Sequence, residues 1–279
     1  MIIAIVGIGL IGGSMALELK KKKFCSRVIG VDLNPQHQKE AIQLNIVDEI
    51  CSLEDAVNKA SLILLSTPVN ISSKIILSIM DKIDDQIVFD VGSTKHKLVE
   101  QIKTHPKREN FVATHPIAGT EFSGPKSAHL GLFNNKITIV CDREDSSKNS
   151  IGNIVNLYEV LGMKIIYMTA KDHDIHSAYV SHISHISSFS LALSVMDKEK
   201  NEKNILNMAG SGFESTVRLA KSNKDMWTPI FLENKNNILE VLENYVRKLN
   251  EFKHAIEESN ENEISQLISE ANAINKILK

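Results

Sequence analysis

The chain has 279 residues, 32 basic and 34 acidic, for a formal charge of −2; 43% of its side chains are hydrophobic and 24% charged. That balance implies no polyanion partner, so nucleic acid is not an expected partner. No run approaches the ~18 apolar residues of a membrane span, and the length suits one large domain or two modest ones.

The first residues, Met1-Ile2-Ile3-Ala4-Ile5-Val6-Gly7, lack the basic region of a secretory leader and turn glycine-rich at once. Cys25, Cys51 and Cys141 are far apart and form no CxxC pair. They read as small buried apolar residues in a reducing cytoplasm rather than as disulfide or zinc partners. Short apolar runs at 2–6, 28–32, 62–66, 87–91, 111–114, 137–141 and 165–168 predict buried parallel strands. Helical stretches lie between most of them, for example at 11–22, whose basic end at 20–23 reads as solvated, and at 151–161. Such alternation predicts a parallel sheet covered on both faces.

From about residue 169 the strand-like runs stop. Residues 172–196 predict one long helix, 205–222 and 229–257 further helix with breaks near 210–212 and at Pro229, and 261–278 an amphipathic helix. The expected fold is therefore α/β: an N-terminal Rossmann-type doubly wound parallel sheet over 1–168, then a C-terminal all-helical domain over 169–279. The apolar stripes of the second half suit either a dimer interface or an intramolecular bundle.

Gly7-Ile8-Gly9-Leu10-Ile11-Gly12 is a GxGxxG motif between a predicted strand and a predicted helix. Gly7 permits the tight turn, Gly9 lets the backbone approach a pyrophosphate, and Gly12 lets the helix pack on the strand. Leu10 and Ile11 open the helix, whose free N–H groups and positive dipole end suit phosphates. Asp32 ends the next predicted strand, where a carboxylate accepts from ribose hydroxyls and repels a 2′-phosphate; no arginine follows. The expected cofactor is NAD rather than NADP. Ser66-Thr67-Pro68, at another strand end, is expected to line the same cleft and reads equally as a capped turn.

Two further strand ends carry polar clusters. One holds Ser93 in Asp90-Val91-Gly92-Ser93-Thr94-Lys95, and the other holds His115 in Thr114-His115-Pro116-Ile117-Ala118-Gly119-Thr120-Glu121. A histidine beside a serine on the glycine-turn edge suits proton handling during hydride transfer; the plainer reading is a structural His and a capping Ser. His182 and His185 lie on one predicted helix face and read as cleft contacts, whereas His173 and His176 read as solvated surface. Neither pair has a clear third ligand, so no metal is expected. Gly210-Ser211-Gly212-Phe213 breaks a helix, and Arg218 beyond it suits a carboxylate, or else a plain surface position.

These residues together resemble the prephenate dehydrogenase (TyrA) family. The resemblance runs from Ile2 to about Asn236 and rests on GIGLIGGS at 7–14, DVGSTK at 90–95, HPIAGTE at 115–121, GSGFESTVRLAKSNKDMW at 210–227 and FLENK at 231–235. It implies NAD-dependent oxidative decarboxylation of prephenate to 4-hydroxyphenylpyruvate in tyrosine biosynthesis, by a cytoplasmic homodimer joined through its helical domain. His115 resembles the histidine that takes the ring hydroxyl proton, Ser93 the serine that orients it, and Arg218 the arginine that holds a substrate carboxylate. His182 and His185 match a helix lining the cleft, and Thr120, Glu121 and Ser211 match substrate-side positions. Trp227 matches a position near the partner subunit's pocket. Two departures stand out: Ser184 replaces a proline, so a helix kink is expected to be missing, and Ser211 replaces a glycine. With the chain ending at 279, soon after the helical half, no fused chorismate mutase or C-terminal regulatory domain is expected. Arogenate or cyclohexadienyl dehydrogenase, a β-hydroxyacid or imine dehydrogenase, and a non-catalytic NAD sensor remain as alternatives.

Overall fold

The computed structural model describes residues 1–277. The first part of the chain runs β1 (Ile2–Val6), α1 (Leu10–Lys21), β2 (Arg27–Val31), α2 (Pro35–Gln43), β3 (Glu49–Ile50), α3 (Leu53–Lys59), β4 (Leu62–Leu65) and α4 (Val69–Lys82). It continues through β5 (Ile87–Asp90), α5 (His96–Ile102), β6 (Phe111–Ile117), β7 (Ile137–Cys141), α6 (Lys148–Val160) and β8 (Lys164–Met168). All strands join one sheet in the order β3-β2-β1-β4-β5-β6-β7-β8. The two-residue β3 was too short to register as an apolar run.

The sheet grows outward in both directions from β1 and β4, and ligands in such sheets bind beyond the carboxyl ends of the strands at that reversal. Val6 is level with Val31 and Leu65, Leu65 with Asp90, and Asp90 with Ala113. The residues after these positions therefore emerge along one edge: Gly7, Asp32, Ser66, the 91–95 turn and Thr114-His115.

The sheet departs from an all-parallel expectation at one place. β7 pairs antiparallel with β6, and β8 follows β7 in parallel. The cause is the connection between β6 and β7. It holds a single 3₁₀ turn at Pro125–Ser127 and no α-helix, whereas the crossover of a parallel pair is usually an α-helix packed on the sheet.

Strand alternation sends side chains to two cores. Ile3, Ile5, Val28, Leu62, Leu64, Phe89 and Val112 pack with Met15 and Leu19 of α1 and Ile154, Leu157 and Tyr158 of α6. Ala4, Val6, Ile29, Ile63, Leu65, Val88 and Phe111 pack with α3, α4 and α5 through Val57, Ile76, Ile79 and Ile102. Cys141 belongs to this second core, but Cys25 and Cys51 are only half-buried, short of the full burial expected.

Under the edge lies a buried polar network. Lys95 is 0% exposed and Asp90 1%, and their side chains form a direct ion pair. Asp90 also accepts from the Gly92 and Thr114 amides, and Lys95 Nζ donates to Thr114 O at 2.9 Å. Burial pushes the Asp90 carboxyl up, and the Lys95 ammonium works against it.

After β8 come α7 (Ala170–Ser177), a π-helical turn at Ala178–His182 and α8 (Ile183–Glu199), so the long helix expected here is interrupted. The irregularity that a proline at 184 would have marked is thus present one turn earlier as a π turn. α9 (Ser211–Val217) and α10 (Lys224–Glu233) follow. Pro229 lies inside α10 and does not end it; the bond it forgoes would have reached back only to Asp225, in the first turn. The chain divides into two compact units, Met1–Asn234 and a second from Lys235 on. The second unit holds α11 (Lys235–Glu257) and α12 (Glu261–Ala271), which Asn260 caps by accepting from the Glu263 amide. The helix expected over 261–278 passes into a 3₁₀ turn at Asn272–Lys276, and residue 278 lies outside the described residues.

Removing one partner of a buried ion pair leaves the other charge stranded. Lys95→Met is expected to destabilise the fold by about 3–5 kcal/mol, and a Lys95→Met/Asp90→Leu pair by clearly less. Urea unfolding of both variants at neutral pH checks this.

Candidate active site

The glycine turn has the geometry of a dinucleotide cradle. Gly7 adopts φ +94°, and a Cβ there would lie 2.5 Å from Ser66 O. At Gly12 a Cβ would lie 2.4 Å from Gly7 O. Gly9 is different: none of the described residues comes within 4 Å of where its Cβ would stand, so the turn is open at that residue. Gly9 is also the N-cap of α1 and supplies no side-chain cap. The first amides of the helix, at Leu10 and Ile11, therefore lack an intrahelical acceptor and suit an anion. The Leu10 side chain itself is buried in the core.

Asp32 follows β2 with its side chain 13% exposed. One oxygen accepts from the Ile8 amide at 3.0 Å and the other from the Asn34 amide at 2.8 Å. This ties the carboxylate to the glycine turn. His37, which the sequence reading passed over, stands 3.5 Å away through Nδ1. Ser66 and Thr67 are half-buried at the neighbouring strand end, and Pro68 is exposed as the N-cap of α4. Thr67 bonds the Ser72 hydroxyl at 2.8 Å and does not cap the helix with its side chain.

His115 sits in the part of β6 that runs past the end of β5. Its Nδ1 lies 2.8 Å from His173 Nε2 on α7. His173 Nδ1 in turn lies 2.7 Å from Asp174 Oδ1. Asp174 accepts further from the Lys95 amide at 2.7 Å and the His96 amide at 2.9 Å. Burial, with His173, Lys95 and His182 nearby, holds His115 well below the ordinary histidine pKa of 6.5. Ser93 is half-buried in the turn after β5, and its hydroxyl makes no hydrogen bond among the described residues.

His173 corrects the sequence reading, which put it on a solvated surface; it is 0% exposed. His176 is exposed as expected. The missed signal was periodic. Ala170, His173, Asp174 and Ser177 are the buried residues of α7 and recur at the helical spacing of a buried face. Because most of them are polar, a search for apolar stripes passes over them.

The remaining candidates fall into two groups. His182 is buried, its Nδ1 accepting from Asn234 Nδ2 at 3.1 Å, and burial lowers its pKa to about 4. His185 stacks on Trp227 with ring centroids 3.4 Å apart, and burial lowers its pKa too. Trp227 is buried beside Val69 and Ile230, and its indole N–H has no hydrogen-bond partner among the described residues. Arg218 is exposed, with its guanidinium 4.0 Å from Glu121. Arg218 also acts electrostatically on His185. Thr120 is exposed in the loop after β6, where its hydroxyl accepts from the Phe122 amide, and Ser211 is exposed at the start of α9.

Two family models match this chain: "Prephenate dehydrogenase, nucleotide-binding domain" over residues 15–167 and "Prephenate dehydrogenase, dimerization domain" over residues 169–270. The chain is 31% identical to the prephenate dehydrogenase of A. aeolicus, solved in complex with hydroxyphenyl propionate and NAD+; the TM-score is 0.91, covering 100% of this chain and 98% of that one. It is 29% identical to the Bacillus subtilis prephenate dehydrogenase, over 92% of this chain and 70% of the relative. The Synechocystis arogenate dehydrogenase is also similar, with 26% identity, a TM-score of 0.79 and 100% of both chains covered.

The two glycines separate packing from binding. Gly9→Val is expected to leave the melting temperature within a few degrees while weakening NAD+ binding by about tenfold or more. Gly12→Ala is expected to cost about 1–3 kcal/mol of stability through overpacking. Calorimetric NAD+ titration and thermal melts of both variants check this.

Proposed function

The chain belongs to the prephenate dehydrogenase family, and from that premise we propose that it catalyses the NAD-dependent oxidative decarboxylation of prephenate to 4-hydroxyphenylpyruvate. The observation that carries this reading is the shared edge: the glycine turn and Ser93 follow the carboxyl ends of β1 and β5, and His115 lies in the stretch of β6 that runs past the end of β5. Residues 1–168 act as the dinucleotide-binding half and 169–279 as the helical half. The match to a dimerization domain supports a homodimer joined through that half. The free thiols of Cys25, Cys51 and Cys141 support a reducing, cytoplasmic setting.

The cradle fits a dinucleotide. The open Gly9 and the uncapped α1 amides at Leu10 and Ile11 hold the pyrophosphate, and Asp32 holds the adenosine ribose. Ser66, Thr67 and Pro68 border the same cleft. The bound cofactor supplies a hydride acceptor.

Arg218 anchors a substrate carboxylate, with Glu121 and Thr120 on the loop across from it. His185, stacked on Trp227, together with His182 and Ser211, shapes the substrate side. Trp227 stands near the partner subunit's pocket in this reading. Ser93 and His115 meet the ring hydroxyl. With Nδ1 engaged by His173, His115 has Nε2 left for the substrate. That nitrogen takes the hydroxyl proton as the adjacent C–H bond gives up its hydride. The ring carboxylate then leaves as CO2, its bonding pair makes the ring aromatic, and His115 returns the proton to the oxygen. The protein contributes a base, an anchor and orientation.

His115→Asn is expected to lower kcat by about 10²–10⁴-fold with NAD+ affinity unchanged. Prephenate and arogenate, each tested with NAD+ and NADP+ in an NADH- or NADPH-formation assay, check both the reaction and the substrate. Turnover of arogenate alone would replace prephenate in this reading, and turnover of neither would remove it.

The depressed His115 pKa gives a pH signature. A base held below 6.5 stays unprotonated at neutral pH. So kcat/KM is expected to remain level as pH falls through 6.5 and to drop only well below it. Arg218→Ala is expected to raise KM by roughly tenfold or more with a modest loss of kcat, as steady-state kinetics on prephenate will show.

A further inference from the structure

His173 and Asp174 play no part in the reaction as described above, yet they are among the most completely buried polar groups in the fold, at 0% and 4% exposure. Burying a histidine and a carboxylate costs stability unless the pair is fully hydrogen-bonded. Here every link is made, and the chain of bonds has one direction.

Asp174 Oδ1 receives the Lys95 amide and His173 Nδ1, and Oδ2 receives the His96 amide. A carboxylate so surrounded by donors is an acceptor only, so His173 must carry its proton on Nδ1. A neutral His173 then presents a bare Nε2. The atom 2.8 Å away, His115 Nδ1, must be the donor. The opposite arrangement would set the bare Nδ1 of His173 against the carboxylate, two lone pairs facing each other. His115 Nε2 is consequently left unprotonated, with its lone pair free.

We propose that His173 and Asp174 are positioning residues that set the tautomer and ring orientation of His115, so that its Nε2 is always the atom ready to accept a proton. This rests on His115 acting as the base. The groups facing the His115 ring are His173 from α7, Lys95 from the turn before α5, and His182 from the π turn. Lys95 and His182 oppose a charge on the ring. When His115 takes a proton at Nε2, its Nδ1–H still points down the chain toward the Asp174 carboxylate. No proton moves along the chain; Asp174 stays ionised and His173 keeps its Nδ1–H.

Ring ¹⁵N NMR of the free full-length enzyme reads the tautomer directly, apart from turnover. Wild-type His115 is expected to show a protonated Nδ1 and a bare Nε2. Asp174→Asn can donate to His173 Nδ1 and reverse the chain, moving the His115 proton to Nε2. Its kcat is expected to fall about 10²–10³-fold with KM and NAD+ affinity within about threefold. His173→Met removes the acceptor and is expected to lose a similar factor. His173→Gln, whose Oε1 can replace the lost acceptor, is expected to recover kcat to within about tenfold of wild type.

A wild-type His115 protonated at Nε2 would overturn the proposal. So would wild-type kcat in both Asp174→Asn and His173→Met. If Asp174→Asn fails to fold, the wild-type spectrum and the two His173 variants decide. Full turnover in His115→Asn would instead remove the base assignment itself, a separate failure that the wild-type spectrum does not share.

Discussion

The Asp174 carboxylate joins parts of the chain that lie far apart in sequence. Its two oxygens accept the amides of Lys95 and His96, at the start of α5, and the ring of the preceding residue. Its own carbonyl accepts from Asn234, at the end of α10. One buried acidic side chain thus ties α7 to the turn after β5 and orders the ring next to His115. With a single bond missing, the buried group would carry its desolvation cost without return. The surrounding packing therefore has to be held closely.

The same edge shows how backbone chemistry and side-chain chemistry divide the work. The cofactor cradle depends on the absence of side chains at Gly7, Gly9 and Gly12 and on the free amides at the start of α1. The site proposed to handle the proton depends on side chains from β6, α7 and the 91–95 turn. It exists only when the sheet and the helices after β8 have docked. The buried Asp90–Lys95 pair sits between the two, bonding the Gly92 amide on one side and the Thr114 carbonyl on the other. It sets the turn bearing Ser93 against the strand bearing His115. An apolar pair of the same volume would pack at lower cost but would leave those backbone groups without partners.

The reversal at β7 also serves the site. A helix between β6 and β7 would have covered the sheet edge beyond His115. Instead the chain leaves β6 as a loop carrying Thr120 and Glu121, and Ser123 of that loop accepts from Asn223 at the start of α10. The side chains of Glu121 and Arg218 face each other across this tethered loop at 4.0 Å, both accessible to solvent.

Much was legible in the amino-acid sequence alone. Apolar runs, a glycine motif in its strand-to-helix setting and an acid at the next strand end are local patterns, and each depends on geometry within a few residues. The GxGxxG spacing at 7–12 is visible in the sequence, although the Cβ clash with Ser66 that excludes a side chain at Gly7 is not. His115 and Ser93 were likewise legible as strand-end residues. The direction of β7, the π turn at Ala178–His182 and the burial of His173 were not. They depend on which elements pack together. A polar face at helical spacing looks solvated until the neighbour that satisfies it is known. Sequence alone therefore determined most of the strands, the glycine turn and the place of the candidate base. Only the tertiary structure decided what lies against His115, because a polar face at helical spacing does not name partners that stand 58 and 79 positions away.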